Sequence, residues 1–405
     1  MSTASSPPKP VAIWWSNAFF FLAAHVAAAY GVYTRPPSTV SKPTLLMTVL
    51  LWQIASFGVT IGYHRMYSHR AFTAPFPIRM GLAMLGTTAF QGSIKFRCLR
   101  HRLHHRFTDD EEHDPYCATR GLFYSHVGWI FYKPKYEKLE LIERDDLEQD
   151  PVVRIQHKYY VPMALTFGFG LPVFLGWTWN DTTGALIYGG FVSRLLIWHC
   201  TFLVNSLAHW DGLQPYSDEN TSRTNWILAI LTAGEGNHNF HAFPHDFRAG
   251  PATFDWDPSK WVILVLHQLG LATGLRRADA SDIQEAKLHM LGKHHAAVPL
   301  RSEDVWEGAV WRREDIDDYI SCKKNACVIV IDGFAVDVTE YLTEHPGGAR
   351  LLRNYSVPTP DDPANTKPTK WKEAGWAFNG GLNNHSSAAR RRMAQLCIAK
   401  VLDHA

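Results

Sequence analysis

The stretch LLMTVLLWQIASFGVTIGYHRMYSHR, residues 45–70, decides the fold, because an uncharged run leads directly into two closely spaced histidines. Residues 45–63 contain no charged side chain over 19 positions, and a helix needs roughly 20 apolar residues to cross a bilayer. The run therefore predicts a membrane-spanning helix, with His64 and His69 at the point where that helix leaves the membrane.

The composition of the 405 residues points toward lipid and toward metal. Charged residues make up 19% and aromatic residues 13% of the chain, whereas ordinary soluble domains carry about 25% charged residues. There are 21 histidines, and 40 Lys and Arg nearly balance 38 Asp and Glu. This balance leaves no basic field for a nucleic acid. The 6 cysteines, without a Cys-x-x-Cys pair, predict neither a disulfide framework nor a thiolate zinc site.

Three further runs resemble the first. Residues 13–33 and 161–179 are also uncharged, and residues 184–204 are apolar apart from two positions. The alternative, a set of helices buried in a soluble core, rarely gives so many long uncharged runs. We therefore expect an all-α integral membrane domain over residues 1–276, with four transmembrane helices and a histidine-rich helical cap outside the bilayer.

The connections between these runs predict the orientation. Segment 64–158 contains 15 Lys and Arg, loop 34–43 contains two, and loop 180–183 contains none. Because short basic loops stay in the cytosol, we expect the middle segment and both chain termini to face the cytosol. Residues 1–10 have no Arg-rich region and no cleavage site, so we expect the first span to be retained rather than removed as a signal peptide.

The histidines beyond the spans form three clusters and one isolated position. The clusters are His64 with His69; His101 with His104 and His105; and His238 with His241, followed by His245; the isolated position is His209, just after the fourth span. Residues three and four apart share a helix face. Each cluster can therefore aim several imidazoles at one point.

Neutral imidazole is a ligand for iron, copper and zinc. A zinc ion takes only four ligands, and seven clustered histidines are too many for one tetrahedral ion. Two metal ions that share the clusters explain the pattern. The alternative, solvated or interfacial histidines, explains one such cluster more easily than three.

Five motifs resemble those of the integral-membrane acyl-CoA desaturases, and most of all the fungal Δ9, or stearoyl-CoA, type. They are Tyr63-His-Arg-Met-Tyr-Ser-His-Arg70, His101-Arg-Leu-His-His-Arg-Phe-Thr-Asp109, Gly121-Leu-Phe-Tyr-Ser-His-Val-Gly-Trp129, Asn205-Ser-Leu-Ala-His209 and Gly234-Glu-Gly-Asn-His-Asn-Phe-His241. The likeness runs from about residue 45 to about residue 250, with the motifs in the family's order relative to the spans.

This resemblance implies a di-iron centre on the cytosolic side of the endoplasmic reticulum membrane. By position, eight histidines would bind the two irons, and Asn205 would hold one iron through a water molecule: His64, His69, His101, His104, His105, His209, His238 and His241. His126 would shape the site without binding metal.

The third histidine motif departs from the family pattern. The family has His-x-x-His-His, one residue and Phe-Pro, whereas here His241 is followed directly by Ala242-Phe243-Pro244. One residue, and with it one ligand, is missing. Three explanations stay open: His245 supplies the ligand, the protein has lost its function, or the coding sequence contains an error.

The sequence changes character from about residue 309. Residues 328–338 have the pattern of two strands joined by an Asp-Gly turn, and His345-Pro-Gly-Gly and His385 follow. These motifs resemble cytochrome b5, which makes His345 and His385 the axial ligands of a b-type haem. Because two axial histidines leave no position for O2, such a haem carries electrons.

The resemblance to cytochrome b5 also sets the predicted boundaries. Residues 309–405 would form a small α+β haem domain, and residues 277–308 would link it to the membrane domain. The two haem histidines lie further apart than is usual in that family, because of residues 356–370, which we interpret as a surface loop.

Together the resemblances imply an oxidoreductase that inserts a cis double bond, at Δ9, into a long-chain saturated acyl-CoA. It would use O2 and electrons that pass from NADH through a cytochrome b5 reductase and the haem. Arg97, Arg100 and Lys133 are candidates to bind the CoA phosphates. A desaturase or hydroxylase of different regiochemistry uses the same histidines, and a protein with a dead iron site could still carry electrons.

Overall fold

The computed structural model describes most of the chain, namely residues 12–294, 306, 308–323, 325–345, 347–358, 370–380, 385 and 387–402. The chain divides into two compact units, Met1–Leu139 with Arg144–Ala278, and Glu140–Glu143 with Asp279–Ala405. The division at Ala278 lies two residues after the predicted end of the membrane domain.

The first unit is almost entirely helical. Its α-helices are α1 (Trp15–Thr34), α2 (Lys42–Phe57), α3 (Phe76–Thr87), α4 (Ile94–Arg106), α5 (Leu122–His126), α6 (Asp145–Gln149), α7 (Pro151–Lys158), α8 (Tyr160–Leu165), α9 (Leu171–Thr178), α10 (Thr182–Gly184), α11 (Ser193–Asn205), α12 (Leu207–Trp210), α13 (Trp226–Leu231) and α14 (Pro258–Gln268). π-Helical segments are Gly58–Ser68, Thr166–Gly170 and Ala185–Val192, and 3-10 turns include Gly128–Phe131 and His238–Ala242.

Three helical stretches of the described residues are long and apolar enough to cross a membrane: Lys42–Ser68, Tyr160–Thr178 and Thr182–Trp210. Three of the four predicted spans therefore have the required length and composition. The first predicted span corresponds to α1, a 20-residue helix without a charged residue. Its polar Asn17 and His25 lower its hydropathy, and its passage through the bilayer stays a prediction.

The stretch Lys42–Ser68 changes from α-helix to π-helix at Gly58. In a π-helix each N–H bonds to the carbonyl five residues earlier, and the His69 N–H accordingly donates to the His64 carbonyl at 3.0 Å. Gly58 lies where this helix passes very close to α3, because a methyl group there would overlap the backbone of Leu85 and Gly86. The close approach fixes α3 against the span that carries the first histidines.

The short loops at the opposite end of the helices meet at Asp181. Its carboxylate accepts hydrogen bonds from the Ser41 N–H at 3.1 Å and from the Thr44 hydroxyl at 2.8 Å, both at the start of α2. It also pairs with Arg35 at 3.5 Å and caps α10. One side chain therefore joins the end of α1, the start of α2 and the turn before α10.

The second unit contains a small mixed sheet. Its elements are α15 (Ala280–His294), β1 (Ala309–Trp311), α16 (Arg313–Cys322), β2 (Val328–Ile331), β3 (Phe334–Asp337), α17 (Ala349–Asn354), α18 (Ala374–Phe378), α19 (Ser387–Gln395) and β4 (Cys397–Val401). The strand order is β1-β4-β3-β2, with β1 parallel to β4 and the other pairs antiparallel. Asp332 and Gly333 form the hairpin turn at φ 50° and 80°, as such two-residue turns require.

Both ends of the predicted surface loop are anchored in this unit. The Val357 N–H donates to the Val328 carbonyl at 2.8 Å, and the Lys370 N–H donates to the Asn354 carbonyl at 3.2 Å. The chain therefore returns close to the point at which it leaves. Positions 359–369 of this loop lie outside the described residues.

We expect the Gly58→Ala variant to be less stable than the parent protein, because its methyl group has no room against α3. Overpacking of this kind typically costs about 1–3 kcal/mol, and thermal unfolding in detergent would show it as a lower Tm.

Gly81→Ala, on the exposed side of α3, is the matched control. A methyl group there meets no atom within 4 Å, and alanine favours a helix by up to about 1 kcal/mol. A Tm for Gly58→Ala equal to or above that of Gly81→Ala would contradict the close approach.

Candidate metal centre

The π-helical segment brings the first two histidines together. His64 and His69 are five residues apart, which would place them on different faces of an α-helix, but i→i+5 bonding returns the chain to the same face. Their rings meet edge to face with centroids 4.6 Å apart. The winding of this helix therefore creates the first part of the site.

Helix α4 contains the next three histidines, whose side chains point toward two different sets of neighbours. His101 and His105 are one α-helical turn apart, and their Nε2 atoms approach to 3.0 Å. His101 Nε2 also lies 2.8 Å from His69 Nε2. His104 points to a different neighbour, because its ring lies 5.8 Å from that of His209. Helix α4 therefore lies between two sets of imidazoles.

The 3-10 turn His238–Ala242 also supplies both sets. His241 Nε2 is 3.2 Å from His64 Nε2, whereas the His238 ring lies 5.1 Å from the ring of His209. The His238 and His241 rings are themselves stacked 5.4 Å apart. The two sets of imidazoles are therefore adjacent.

Two groups of histidines result, and in each group the nitrogens lie within 4.8 Å of one another. The five-histidine group is His64, His69, His101, His105 and His241, and the three-histidine group is His104, His209 and His238. All eight sequence-predicted histidines therefore belong to one group or the other. Each group could hold one metal ion.

Polar partners contact the Nδ1 atoms of three of these rings and orient them. His64 Nδ1 lies 3.3 Å from a Glu235 carboxylate oxygen, and His104 Nδ1 lies 2.7 Å from Asp114. His209 Nδ1 donates to the Thr221 hydroxyl at 2.8 Å. Because Nδ1 is hydrogen-bonded in His104 and His209, Nε2 is the nitrogen of these two rings that faces their group, which is how metal-binding histidines are commonly held.

A single acidic loop fixes two members of the three-histidine group. Asp114 accepts from His104 and also, at 2.9 Å, from the N–H of Asp109. Asp109 in turn accepts from the Thr221 hydroxyl at 2.8 Å and from its N–H at 2.7 Å. Thr221 then orients His209. His104 and His209 are therefore connected through one continuous set of hydrogen bonds.

Arg65 positions Glu235, which in turn contacts His64 of the five-histidine group. Its buried guanidinium bonds to Glu235 at 3.0 Å and to Asp257 at 2.9 Å, and it also donates to the Phe247 carbonyl. Burial would raise the pKa of Glu235, but His64 and Arg65 lower it below the usual range. Glu235 therefore stays ionised and holds the His64 ring.

The site keeps most of its imidazoles neutral. Burial first, and then neighbouring imidazoles, lower the pKa of four members of the five-histidine group well below the usual value: His69, His101, His105 and His241. Burial lowers the pKa of His238 to about 3. Burial also acts against the charge on His104, but Asp114 raises its pKa overall. Neutral imidazole is the form that binds metal.

Buried nitrogens without a hydrogen-bond partner fit a metal at this place. Within the described part of the chain, His209 Nε2 and His238 Nδ1 are both buried and unpaired. Buried polar atoms are almost always satisfied, and a bound ion would satisfy both of these. The donor set, nitrogen alone, suits iron, copper or zinc.

The other sequence-predicted positions lie around the two groups. Asn205 ends α11, four residues before His209. His245 Nδ1 donates to the His69 carbonyl at 2.8 Å, so His245 lies beside the five-histidine group without belonging to it. His126 belongs to neither group.

The three candidate phosphate contacts differ in exposure. Lys133 is exposed and Arg97 is half-buried. Arg100 is only 6% exposed, and its guanidinium lies over aromatic rings, 4.6 Å from the centroid of Trp129 and 4.8 Å from that of Phe96. Packing therefore accounts for Arg100, whereas Lys133 is accessible to a ligand.

A second imidazole pair lies in the second unit. The rings of His345 and His385 face each other with centroids 6.4 Å apart and an angle of 26° between their planes. His385 Nδ1 donates to the Phe378 carbonyl at 2.8 Å, which orients its ring. This separation gives room for one metal ion that takes a nitrogen from each ring at about 2 Å.

Comparison with known proteins agrees with the histidine geometry. The family model described as Fatty acid desaturase matches residues 41–246, the part that carries all eight histidines. Similar proteins include the probable acyl-CoA desaturase of Schizosaccharomyces pombe, 34% identical over 397 residues (96% of this chain and 77% of the relative). The chain belongs to the fatty acid desaturase family.

Two other members of the family show how far the likeness extends. Acyl-CoA desaturase 1 of Saccharomyces cerevisiae is 35% identical over 366 residues, 88% of this chain and 68% of its own. The Delta(9)-fatty-acid desaturase fat-7 of Caenorhabditis elegans is 33% identical over 270 residues, 65% and 79% of the two chains. Alignments of 366 and 397 residues exceed the 278 positions that precede the second unit, so both fungal alignments enter that unit.

Sequence reasoning identified the histidines of this desaturase but missed the residues that orient them. Glu235, Asp114, Asp109 and Thr221 were not predicted. Two of them offered a signal: Glu235 lies between two glycines three residues before His238, and Asp114 lies ten residues after His104 in an acidic loop. Thr221 offered no signal, because its contact with Asp109 joins positions 112 residues apart.

We expect Thr221→Val to bind metal more weakly, because valine keeps the shape but removes the hydroxyl that orients His209. Loss of such a supporting contact typically lowers metal affinity about 10–100-fold. Metal content after dialysis against increasing chelator concentrations would measure the effect.

Thr224→Val is the matched control, since the Thr224 hydroxyl is buried in the same loop and has no hydrogen-bond partner among the described residues. Equal retention of metal by the two variants would show that Thr221 does not support the site.

Proposed function

We propose that this protein is an acyl-CoA desaturase that inserts a cis double bond at Δ9 of a long-chain saturated acyl-CoA such as stearoyl-CoA. One observation carries the proposal: two adjacent groups of five and three imidazoles lie close to the ends of long apolar helices. The names of the relatives, acyl-CoA desaturase and Delta(9)-fatty-acid desaturase, support the same substrate and position.

Each histidine group would hold one iron ion. His64, His69, His101, His105 and His241 would bind the first, and His104, His209 and His238 the second, with Asn205 acting through a water molecule. When bound, the iron pair supplies the O2 chemistry that removes hydrogen from an unactivated carbon, which no side chain performs alone. The orphaned nitrogens of His209 and His238 support this assignment.

The protein's own part is to keep the ligands neutral, oriented and shielded. Glu235, Asp114 and Thr221 fix the ring tautomers so that Nε2 faces inward. Burial lowers the pKa of most of the imidazoles, so that protons compete less with metal for their nitrogens. The acyl chain would enter between the apolar helices, so that its reacting carbons reach the histidine end of the bundle.

The shortened third motif leaves the second iron with fewer protein ligands. His245 is the proposed substitute. Its Nδ1 bonds to the His69 carbonyl, and the side chain would have to turn to reach the three-histidine group. The two groups are close enough for this, since the His238 and His241 rings are 5.4 Å apart.

Electrons would reach the iron pair through a haem in the second unit. His345 and His385 would be its axial ligands, and their facing rings support this role. A haem with both axial positions filled transfers electrons without binding O2. An NADH-cytochrome b5 reductase would be the electron donor, and the second unit would therefore be a cytochrome b5-like domain.

The CoA group would lie on the basic face of the histidine-bearing side. Lys133 is the strongest candidate for its phosphates because it is exposed, and the half-buried Arg97 is a second candidate. The distribution of Lys and Arg supports a cytosolic position for this side, both termini and the active site. We propose the endoplasmic reticulum membrane as the location, with α1 as the fourth span.

The proposed function is tested in a yeast that lacks its own Δ9 desaturase. Expression of this chain should produce new monounsaturated fatty acids with the double bond at Δ9, measured as a fatty-acid profile with mapped double-bond positions. His238→Ala should abolish the product because it removes one of three ligands from the second iron. His267→Ala, a histidine of α14 outside both groups, should not.

Other outcomes would contradict parts of the proposal. No product from a well-expressed, haem-containing protein would contradict desaturation, and a new bond at another carbon would contradict Δ9 alone. His245→Ala should lower product and non-haem iron together. Unchanged iron and product in that variant would exclude His245 as the substitute ligand.

The haem assignment has an independent test. His385→Ala should lose the haem absorption spectrum while it retains non-haem iron, because the two sites use different residues. His289→Ala, on α15 of the same unit, is the control and should keep both. Haem absorption that survives in His385→Ala with its reduced spectrum unchanged would show that His385 is not an axial ligand.

A further inference from the structure

Three more histidines form a chain outside both metal groups. His25 belongs to α1, His199 to α11 and His126 to α5. His25 Nε2 lies 2.9 Å from His199 Nε2, and His199 Nδ1 lies 3.0 Å from His126 Nε2. The rings are joined end to end rather than aimed at one point, so they form a hydrogen-bonded line and not a metal site.

Both ends of this line are atoms that can only accept hydrogen bonds. At one end, His25 Nδ1 lies 2.7 Å from the Phe21 carbonyl oxygen. At the other end, His126 Nδ1 lies 3.0 Å from the Ser206 oxygen, and the Ser206 hydroxyl donates to the Phe202 carbonyl at 2.9 Å. The line therefore runs from one backbone carbonyl to another.

A count of hydrogens determines the charge of the line. It contains five contacts, and each contact needs one hydrogen between its two heavy atoms. Three neutral imidazoles supply one hydrogen each, and Ser206 supplies one. The neutral line is therefore one hydrogen short, and one contact would bring two lone pairs together at hydrogen-bond distance. One additional proton completes all five bonds.

The surroundings of the line make that proton easy to release. The rings in contact with it are Phe21, Trp198 and Phe202. Within the described part of the chain, no carboxylate, lysine or arginine is hydrogen-bonded to the three imidazoles, and their only titratable hydrogen-bond partners are one another. Burial lowers the pKa of His126 and opposes the charge that the hydrogen bonds favour.

We propose that the His25–His199–His126 line holds one excess proton near neutral pH, shared among the three imidazoles, and can give it up at its Ser206 end. This inference rests on the proposed function for its use. Desaturation follows R–CH2–CH2–R′ + O2 + 2 e− + 2 H+ → R–CH=CH–R′ + 2 H2O, so the reaction consumes two protons. The reductase supplies the electrons, and the line would supply one proton and regain it from water.

The position of Ser206 suits this role. Ser206 lies between α11 and α12, next to Asn205 and three residues before His209. A proton released there is delivered to the end of the helix that leads into the three-histidine group. The line thus leads from the apolar contact between α1 and α11 toward the proposed iron site, where the reaction would consume protons.

The test is nitrogen NMR of the full-length protein in lipid nanodiscs, with 15N-labelled histidine, at pH 7.5. At that pH a histidine of ordinary pKa, about 6.5, is mostly neutral. An imidazolium is recognised because both of its ring nitrogens carry hydrogen. We expect the parent protein to show one imidazolium signal that is absent from His25→Leu. Removing His25 removes its contacts with the Phe21 carbonyl and with His199, so that three hydrogens remain for three contacts.

Further variants keep this test decisive. His199→Leu breaks the line into two parts, and in each part the neutral groups supply one hydrogen for every contact. This variant should therefore also lose the imidazolium signal. It provides a second test if His25→Leu does not fold. His267→Gln removes an unrelated histidine and should keep it. Equal imidazolium signals in the parent, His25→Leu and His199→Leu would overturn the proposal. Because the readout is the protonation state, it is independent of whether the protein desaturates acyl chains.

Discussion

Eight imidazoles, buried or half-buried, can lie this close together only if their lone pairs meet hydrogen or metal instead of each other. In this protein the Nε2 atoms of His64 and His241, of His69 and His101, and of His101 and His105 lie 2.8–3.2 Å apart. Protonating them together would bury several like charges, which is very costly. Burial keeps most of these rings neutral, and neighbouring carboxylates and a hydroxyl orient three rings of the two groups, as two metal ions would require.

The helices meet this constraint by changing their winding. His64 and His69, five residues apart, lie on a π-helix; His101 and His105, four apart, lie on an α-helix; His238 and His241, three apart, lie on a 3-10 turn. Each hydrogen-bond period matches the spacing of its histidines. The first two pairs therefore converge within the five-histidine group, whereas the third pair stands side by side and contributes one ring to each group.

Much of this arrangement could be predicted from sequence, and the exceptions have physical reasons. The apolar runs, the histidine clusters and the Asp332-Gly333 hairpin are local patterns. The π-winding that begins at Gly58 and the close packing of Gly58 against α3 are not local patterns. Nor are the contacts of Asp109 with Thr221, 112 residues apart. Nor does the sequence alone show the aromatic rings that cover the guanidinium of Arg100, a candidate for the CoA phosphates.

The two groups of histidines are unequal, and this bears on the shortened third motif. The five-histidine group can surround an ion almost completely, whereas three histidines leave positions open, and an open position is what distinguishes catalytic from structural metal sites. The three-histidine group is also the one that the Asp114, Asp109 and Thr221 contacts hold most firmly. Firm orientation offsets a small ligand number, because fewer conformations are lost when the ion binds. A missing histidine is therefore compatible with metal binding at this group, and its main effect would be on how many positions remain for water and O2.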